Sequence, residues 1–178
     1  MPEQRAVFLD RDGVINQTIV RDGKPYPPSG VGELKIVDGA AEALRDLKQA
    51  GFLLIVVTNQ PDIARGTQSR ATVDAIHQAL RETLPLDDFF VCPHDDSDHC
   101  DCRKPLPGLL LRAAEKYDID ISRSLIVGDR WRDVDAGASA GCATVWIDYG
   151  YRETLPAAEP SVKVDSIRAA ANWILSRP

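Results

Sequence analysis

Nothing in this 178-residue chain approaches the ~20 consecutive apolar residues that a membrane-spanning helix needs. A basic excess is missing too: 21 lysines and arginines face 27 aspartates and glutamates, for a net charge of −6. Nucleic acid is therefore a disfavoured partner, because neutralising a phosphate backbone takes a cationic face. Cysteine is scarce, with four in all. Three of them, at 92, 100 and 102, crowd into one short stretch and Cys142 stands apart, a distribution unlike a disulfide scaffold. The opening residues, Met1-Pro2-Glu3-Gln4-Arg5, carry no signal-peptide core and run straight into a strand pattern. Repeats, low-complexity tracts and linkers are also wanting. With 44% hydrophobic and 27% charged residues, the expectation is one folded domain over residues 1–178, cytoplasmic, monomeric and without a membrane partner.

What is present is an alternation of strand and helix patterns, the mark of a parallel α/β sheet with helices on both faces. Strands are expected at Ala6–Leu9, Phe52–Val57, Phe89–Val91, Ser124–Val127 and Ala143–Ile147. Helices are expected over Ala40–Ala50, from an N-cap at Ser69 to about Leu84, from Pro107 onward, from Asp133 to near Gly141, and over Ser166–Leu175. The Gly- and Pro-rich segment Gln17–Gly32 reads as a loop or small flap over the end of the first strand.

The first strand runs into Asp10-Arg11-Asp12-Gly13. Two carboxylates two residues apart can share a face of an extended chain, and the glycine lets the backbone turn. A surface turn rich in Asp and Gly would look the same. Other strand ends are polar as well: Thr58-Asn59-Gln60, then Arg103-Lys104, then Gly128-Asp129. In open α/β sheets ligands bind beyond the carboxyl ends of the strands, so these groups are expected to converge on one crevice.

Cys92-Pro93-His94 and Cys100-Asp101-Cys102 place three thiols and an imidazole within eleven positions. Structural Zn²⁺ favours four tetrahedral N/S ligands of this kind, so Cys92, His94, Cys100 and Cys102 are the expected zinc ligands, with His99 a rival for the imidazole. Such a closed site would be structural, holding Arg103 and Lys104 at the mouth of the crevice.

Asp10-Arg11-Asp12-Gly13 behind an apolar lead-in resembles the first motif of the haloacid dehalogenase-like (HAD) phosphohydrolases. Thr58-Asn59, Lys104 and Gly128-Asp129 follow in the order of that superfamily's second, third and fourth motifs. The resemblance implies a Rossmann-like fold, with Asp10 as nucleophile and Asp12 as general acid/base. It further implies that Thr58 and Lys104 contact the transferring phosphoryl group. A carboxylate attacking a phosphate dianion needs a cation, and Mg²⁺ suits a site of carboxylates, water and phosphate oxygen. Asp10, Asp129 and the Asp12 carbonyl are its expected ligands, and Asp133 could hold a metal-bound water.

The zinc loop, together with Thr58-Asn59-Gln60 and Ile63-Ala64-Arg65-Gly66, is similar to the zinc-loop subfamily that includes D-glycero-D-manno-heptose 1,7-bisphosphate 7-phosphatases. Histidinol-phosphate phosphatases share the loop and are the alternative; a noncatalytic zinc-stapled binding module is a third reading. Pro61-Asp62 departs from the small pair usual in the heptose enzymes, and the span between His94 and Cys100 is short. The room between the first two motifs allows a flap but no cap domain, so loops must select a small phosphorylated sugar. Asn59, Gln60, Arg65, Arg103 and Arg130 are the expected substrate contacts, the arginines serving a second phosphate. The product would feed lipopolysaccharide or another glycan. The place of Trp131, in the pocket or packed locally, is open.

Overall fold

The computed structural model describes residues 4–178. In chain order it comprises β1 (Ala6–Leu9), β2 (Ile19–Arg21), β3 (Lys24–Tyr26), α1 (Ala40–Gln49), β4 (Leu53–Asn59) and α2 (Asp62–Arg65), followed by α3 (Arg70–Thr83), β5 (Asp88–Cys92), α4 (Gly108–Tyr117), β6 (Leu125–Gly128), α5 (Trp131–Ala140), β7 (Ala143–Ile147), β8 (Val162–Val164) and α6 (Ile167–Leu175). Six strands form one parallel sheet in the order β5-β4-β1-β6-β7-β8.

The all-apolar run of β1 is buried on both faces, as an interior parallel strand must be. Alternate side chains feed two cores. Val7 and Leu9 pack with α1, α3 and α6, whereas Ala6 and Phe8 pack with α4 and α5. Because β1 pairs with β4 on one side and β6 on the other, the chain's winding reverses at β1. A doubly wound sheet opens its crevice at such a switch point. Asp10 stands at its edge.

Four expectations are corrected by the fold. The flap is a hairpin, β2 paired antiparallel to β3, with both turn residues at positive φ, Asp22 at 52° and Gly23 at 75°. Asp-Gly between two short extended runs is the chemistry of such a turn, and the signal stood in the sequence. A sixth strand, β8, was not expected. It is a three-residue edge strand, too short to carry a periodic pattern. Helix α5 begins at Trp131, so that Asp133 lies inside its first turn, and α4 begins at Gly108 with Pro107 preceding it. On α4 the inward residues are Leu109, Leu110 and Ala113, while Leu111 is exposed. Among the described residues the connection from β1 to α1 carries the hairpin and no cap domain, and no helix is long and apolar enough to cross a membrane.

Candidate active site

Each expected motif sits at a carboxyl end of the sheet. The Asp10 amide donates to the Val127 carbonyl at 3.0 Å, tying the β1 end to β6. The chain then turns through Gly13 at φ +87°, where a Cβ would lie 1.9 Å from Asp129 Oδ2. A side chain there would displace the very carboxylate the turn is packed against. Across the crevice, Asn59 and Lys104 exchange two hydrogen bonds, Asn59 Nδ2 to the Lys104 carbonyl and the Lys104 amide to Asn59 Oδ1, both 3.0 Å. This clamp aims Lys104 inward, and its side chain is 2% exposed. Nζ donates to Asp10 Oδ1 at 2.9 Å, the Val57 carbonyl at 2.7 Å and Asp133 Oδ1 at 2.6 Å. Asp133 Oδ2 accepts from the Arg130 amide at 3.1 Å, closing the first turn of α5. Gly128 makes this approach possible, since a Cβ there would meet Asp133 Cβ at 2.1 Å.

Carboxylate oxygens of Asp10, Asp129 and Asp133 lie within 4.8 Å of one another, all three residues buried. Burial pushes the Asp10 carboxyl up to about 6; Asp133 adds to the shift and the Lys104 ammonium opposes it. Asp129 is driven well above the ordinary carboxylate range by burial, then by Asp10 and Asp133. One lysine does not balance three acids. Asp129 Oδ2 accepts from the Tyr151 hydroxyl at 2.9 Å, and its buried Oδ1 has no hydrogen-bond partner. An orphaned carboxylate oxygen in a cluster with excess negative charge fits a hard divalent cation.

Asp12 differs sharply from Asp10. Burial raises it, but the Arg11 guanidinium and hydrogen bonds from Asn16 and Gln60 outweigh burial and hold it below the ordinary range. Arg11 Nη2 reaches both carboxylate oxygens, at 2.9 and 3.0 Å, while Asn16 and Gln60 each donate at 2.9 Å. Arg11 is wholly buried, with His77 Nε2 at 3.2 Å from its Nη1. The two acids of one motif are thus electrostatically separated, a pattern associated with distinct roles. Thr58 is fully buried, its hydroxyl accepting from Gln60 Nε2 at 2.8 Å, so it stands behind Gln60 rather than on the cavity wall.

These groups open on a cavity of about 550 Å³. Asn59, Gln60, Arg65, Arg103, Arg130 and Trp131 all line it. Each expected arginine already holds a carboxylate: Arg65 with Asp95 (2.7 and 2.8 Å), Arg103 with Asp96 (2.7 Å), and Arg130 with both oxygens of Glu153 (2.8 and 2.6 Å). Lys24 and Arg152 line the same cavity, and neither has an ion-pair partner among the described residues. Arg132 also lines it, donating to the Lys104 carbonyl at 3.2 Å. Lys24, Arg132, Arg152 and Tyr151 were missed because no motif includes them. Arg11 and His77 were missed because a charged residue in a turn and a histidine on a helix both read as solvated.

The end of β5 delivers Cys92 to the second cluster. Cys92, His94, Cys100 and Cys102 have ligand atoms within 4.8 Å of one another, and His99 is exposed and outside that cluster. Cys92 Sγ lies 3.5 Å from His94 Nδ1 and 3.6 Å from Cys100 Sγ; Cys102 Sγ lies 3.4 Å from His94 Nδ1. Metal–sulfur bonds of about 2.3 Å give tetrahedral edges near 3.7 Å, so the four atoms fit one zinc-sized centre. All four cysteines are free thiols; the Cys92 and Cys102 sulfurs approach to 3.0 Å, well beyond a disulfide's ~2.05 Å. The loop this cluster would close carries Asp95 and Asp96, the partners of Arg65 and Arg103. Cys142 lies apart, packed under α5 with Sγ 3.5 Å from the Gly137 carbonyl.

The family model for haloacid dehalogenase-like hydrolases matches residues 28–141. The chain belongs to this family. Among curated relatives, a D-glycero-beta-D-manno-heptose-1,7-bisphosphate 7-phosphatase of Bordetella bronchiseptica is 39% identical over 157 residues, 85% of each chain. The Pseudomonas aeruginosa enzyme of the same name is 37% identical over 95% of this chain and 97% of its own. A solved structure of D,D-heptose 1,7-bisphosphate phosphatase from B. bronchiseptica, complexed with magnesium and phosphate, superposes with a TM-score of 0.81 at 34% identity, covering 97% and 98% of the two chains. Doubly wound sheets bind ligands in the crevice at the switch point, and here the acids and Lys104 occupy that crevice.

Proposed function

We propose that this chain is a Mg²⁺-dependent phosphatase that removes the 7-phosphate of D-glycero-β-D-manno-heptose 1,7-bisphosphate, acting as a cytoplasmic monomer built from a single domain. The observation that carries this reading is the packing of Asp10, Asp129 and Asp133 around one buried lysine, with Asp129 Oδ1 unpartnered. The substrate and anomer come from the relatives' shared name, and the metal from the magnesium in the Bordetella structure.

In this reading Asp10 and Asp129 hold Mg²⁺, with the Asp12 carbonyl as a third ligand, and Asp133 serves both Lys104 and a metal-bound water. The ion would neutralise charge on the phosphoryl oxygens and on Asp10. Asp10 attacks phosphorus, the bond from phosphorus to the sugar oxygen breaks, and Asp12 gives its proton to the leaving alkoxide. Asp12 then takes a proton from water, which cleaves the aspartyl-phosphate and restores the Asp10 carboxylate. Free Asp12 is held ionised by Arg11; an incoming phosphate dianion opposes Arg11 and favours the protonated acid. Lys104 offsets charge on the transferring group, Asn59 fixes Lys104, and Thr58 acts by holding Gln60.

The distal phosphate would meet the arginine side of the cavity. Arg65, Arg103 and Arg130 must each trade a carboxylate for it, so unpaired Lys24 and Arg152 join them as candidates. Zn²⁺ at Cys92, His94, Cys100 and Cys102 would fix the loop that holds Arg65 and Arg103. Reduced thiols of that kind suit a cytoplasmic setting.

The experiment is phosphate release from both anomers of the heptose bisphosphate and from histidinol phosphate, with one preparation. The β-heptose substrate should give a kcat/KM at least about 100-fold above histidinol phosphate, since without the second phosphate Lys24 and Arg152 are left with no anionic partner. Equal or better turnover of histidinol phosphate would transfer the assignment to that enzyme; no release from any of them would leave the binding-module reading.

A further inference from the structure

Tyr151 lies in the segment between β7 and β8, outside every motif of the family resemblance. Its hydroxyl nevertheless makes the sole side-chain hydrogen bond of Asp129 among the described residues, to Oδ2 at 2.9 Å. Asp129 itself is 2% exposed, so water does not supply the remaining partner freely. A carboxyl group turns about its last torsion over a broad, two-fold profile. Oδ2 lies nearer the Gly13 turn than Oδ1 does, and the phenol supplies the hydrogen bond that holds it there. With Oδ2 engaged by the phenol, Oδ1 alone is left as a free ligand atom. The Asp129 backbone is held independently, its carbonyl accepting from Trp146 Nε1 at 3.3 Å. Tyr149, two residues earlier, makes a different contact: its hydroxyl donates to the Gly13 carbonyl at 2.9 Å. The same segment thus offers two tyrosines, one on the carboxylate and one on the neighbouring turn.

We propose that Tyr151 is a positioning residue for the divalent-cation site, orienting Asp129 so that one oxygen is committed to the protein and the other to the metal. The inference rests on the reading of Asp10 and Asp129 as cation ligands. Outer partners of metal-binding side chains set ligand orientation, and their loss costs about 10–100-fold in metal affinity.

The test measures Mg²⁺ binding to the substrate-free protein by calorimetry, beside the Mg²⁺-induced rise in Tm, for wild type, Tyr151→Phe, Tyr149→Phe and Asp129→Asn. Tyr151→Phe should weaken Mg²⁺ binding about 10-fold or more, while its Tm in EDTA stays close to wild type. Half-maximal activity should need correspondingly more Mg²⁺, with the substrate KM at saturating Mg²⁺ little changed. Tyr149→Phe should keep the wild-type Mg²⁺ affinity. If Tyr151→Phe binds Mg²⁺ as wild type does while Asp129→Asn does not bind it, the positioning role is refuted and the metal assignment stands. Equal losses in both tyrosine variants would also refute it, because any disturbance of the segment would then suffice. Wild-type protein that binds no Mg²⁺ would overturn the metal assignment itself, and the inference with it.

Discussion

Asp10→Asn should abolish turnover and, in the absence of metal, make the protein more stable. Burial and Asp133 push Asp10 from its ordinary 3.8 to about 6, against the opposition of Lys104. A raised carboxyl pKa means that between these two values the folded protein binds more protons than the unfolded chain. Stability from the protonated form is therefore present at low pH and lost as pH rises through about 6. At pH 8 the full shift of roughly two units costs about 3 kcal/mol, at 1.36 kcal/mol per unit. Asparagine keeps the shape and removes the charge, so the variant should recover most of that. For a chain of this size the gain is about 6–12 °C in Tm, measured by calorimetry in EDTA at pH 8. At pH 4 it should shrink below about 1 kcal/mol, because wild-type Asp10 is then protonated in the folded state and only partly ionised in the unfolded chain. Saturating Mg²⁺ should reverse the order, since the wild-type carboxylate is a ligand and the amide is a poor one. Phosphate release by the variant, or a metal-free Tm at pH 8 no higher than wild type, would refute the chain of reasoning from burial to nucleophile.

Three further outcomes follow from the same geometry. Lys104→Met leaves Asp10 and Asp133 without their buried cation; it should destabilise the metal-free protein by about 3–5 kcal/mol at pH 8 and lower kcat by about 10²–10³, both read against wild type by denaturant unfolding and phosphate release. Zinc should be found at one per chain by elemental analysis. Chelation or Cys102→Ser should lower Tm by about 10 °C or more, with a smaller effect on kcat in what stays folded. His77 is held down at about 4 by burial and by Arg11, so its neutral form stabilises the fold above its ordinary 6.5 and that contribution is lost as pH falls toward 4. His77→Gln should flatten this acid loss of about 2–3 kcal/mol. The comparison is made in the Asp10→Asn background, where the opposing Asp10 titration is absent; an unchanged pH profile would assign the loss to other groups.

The parallel α/β layout was legible because buried strands such as Val7–Leu9 and Leu54–Val57 are continuous apolar runs, and the helices between them keep a helical period. The order of the polar strand ends was legible for the same reason, since each acid follows directly on its strand. Shorter elements were not. The hairpin of β2 and β3 and the edge strand β8 are three residues each, held by pairing rather than by any pattern of their own. Nor did local sequence show that Thr58 would be covered by Gln60, because its burial depends on a side chain from beyond its own strand end.

By itself the amino-acid sequence determined which polar groups stand at the strand ends: two acids after the first strand, a lysine after a thiol-rich loop, an acid after the strand of the fourth motif. Only the tertiary structure decided how those groups are electrically disposed. It set Asp10 against Asp133 and Asp12 against Arg11, gave the arginines their carboxylates, and brought Tyr151 onto Asp129. The reason is physical. Residue type and spacing are properties of the chain, but burial and the distance between polar groups 94 or 22 positions apart exist only once the sheet has closed.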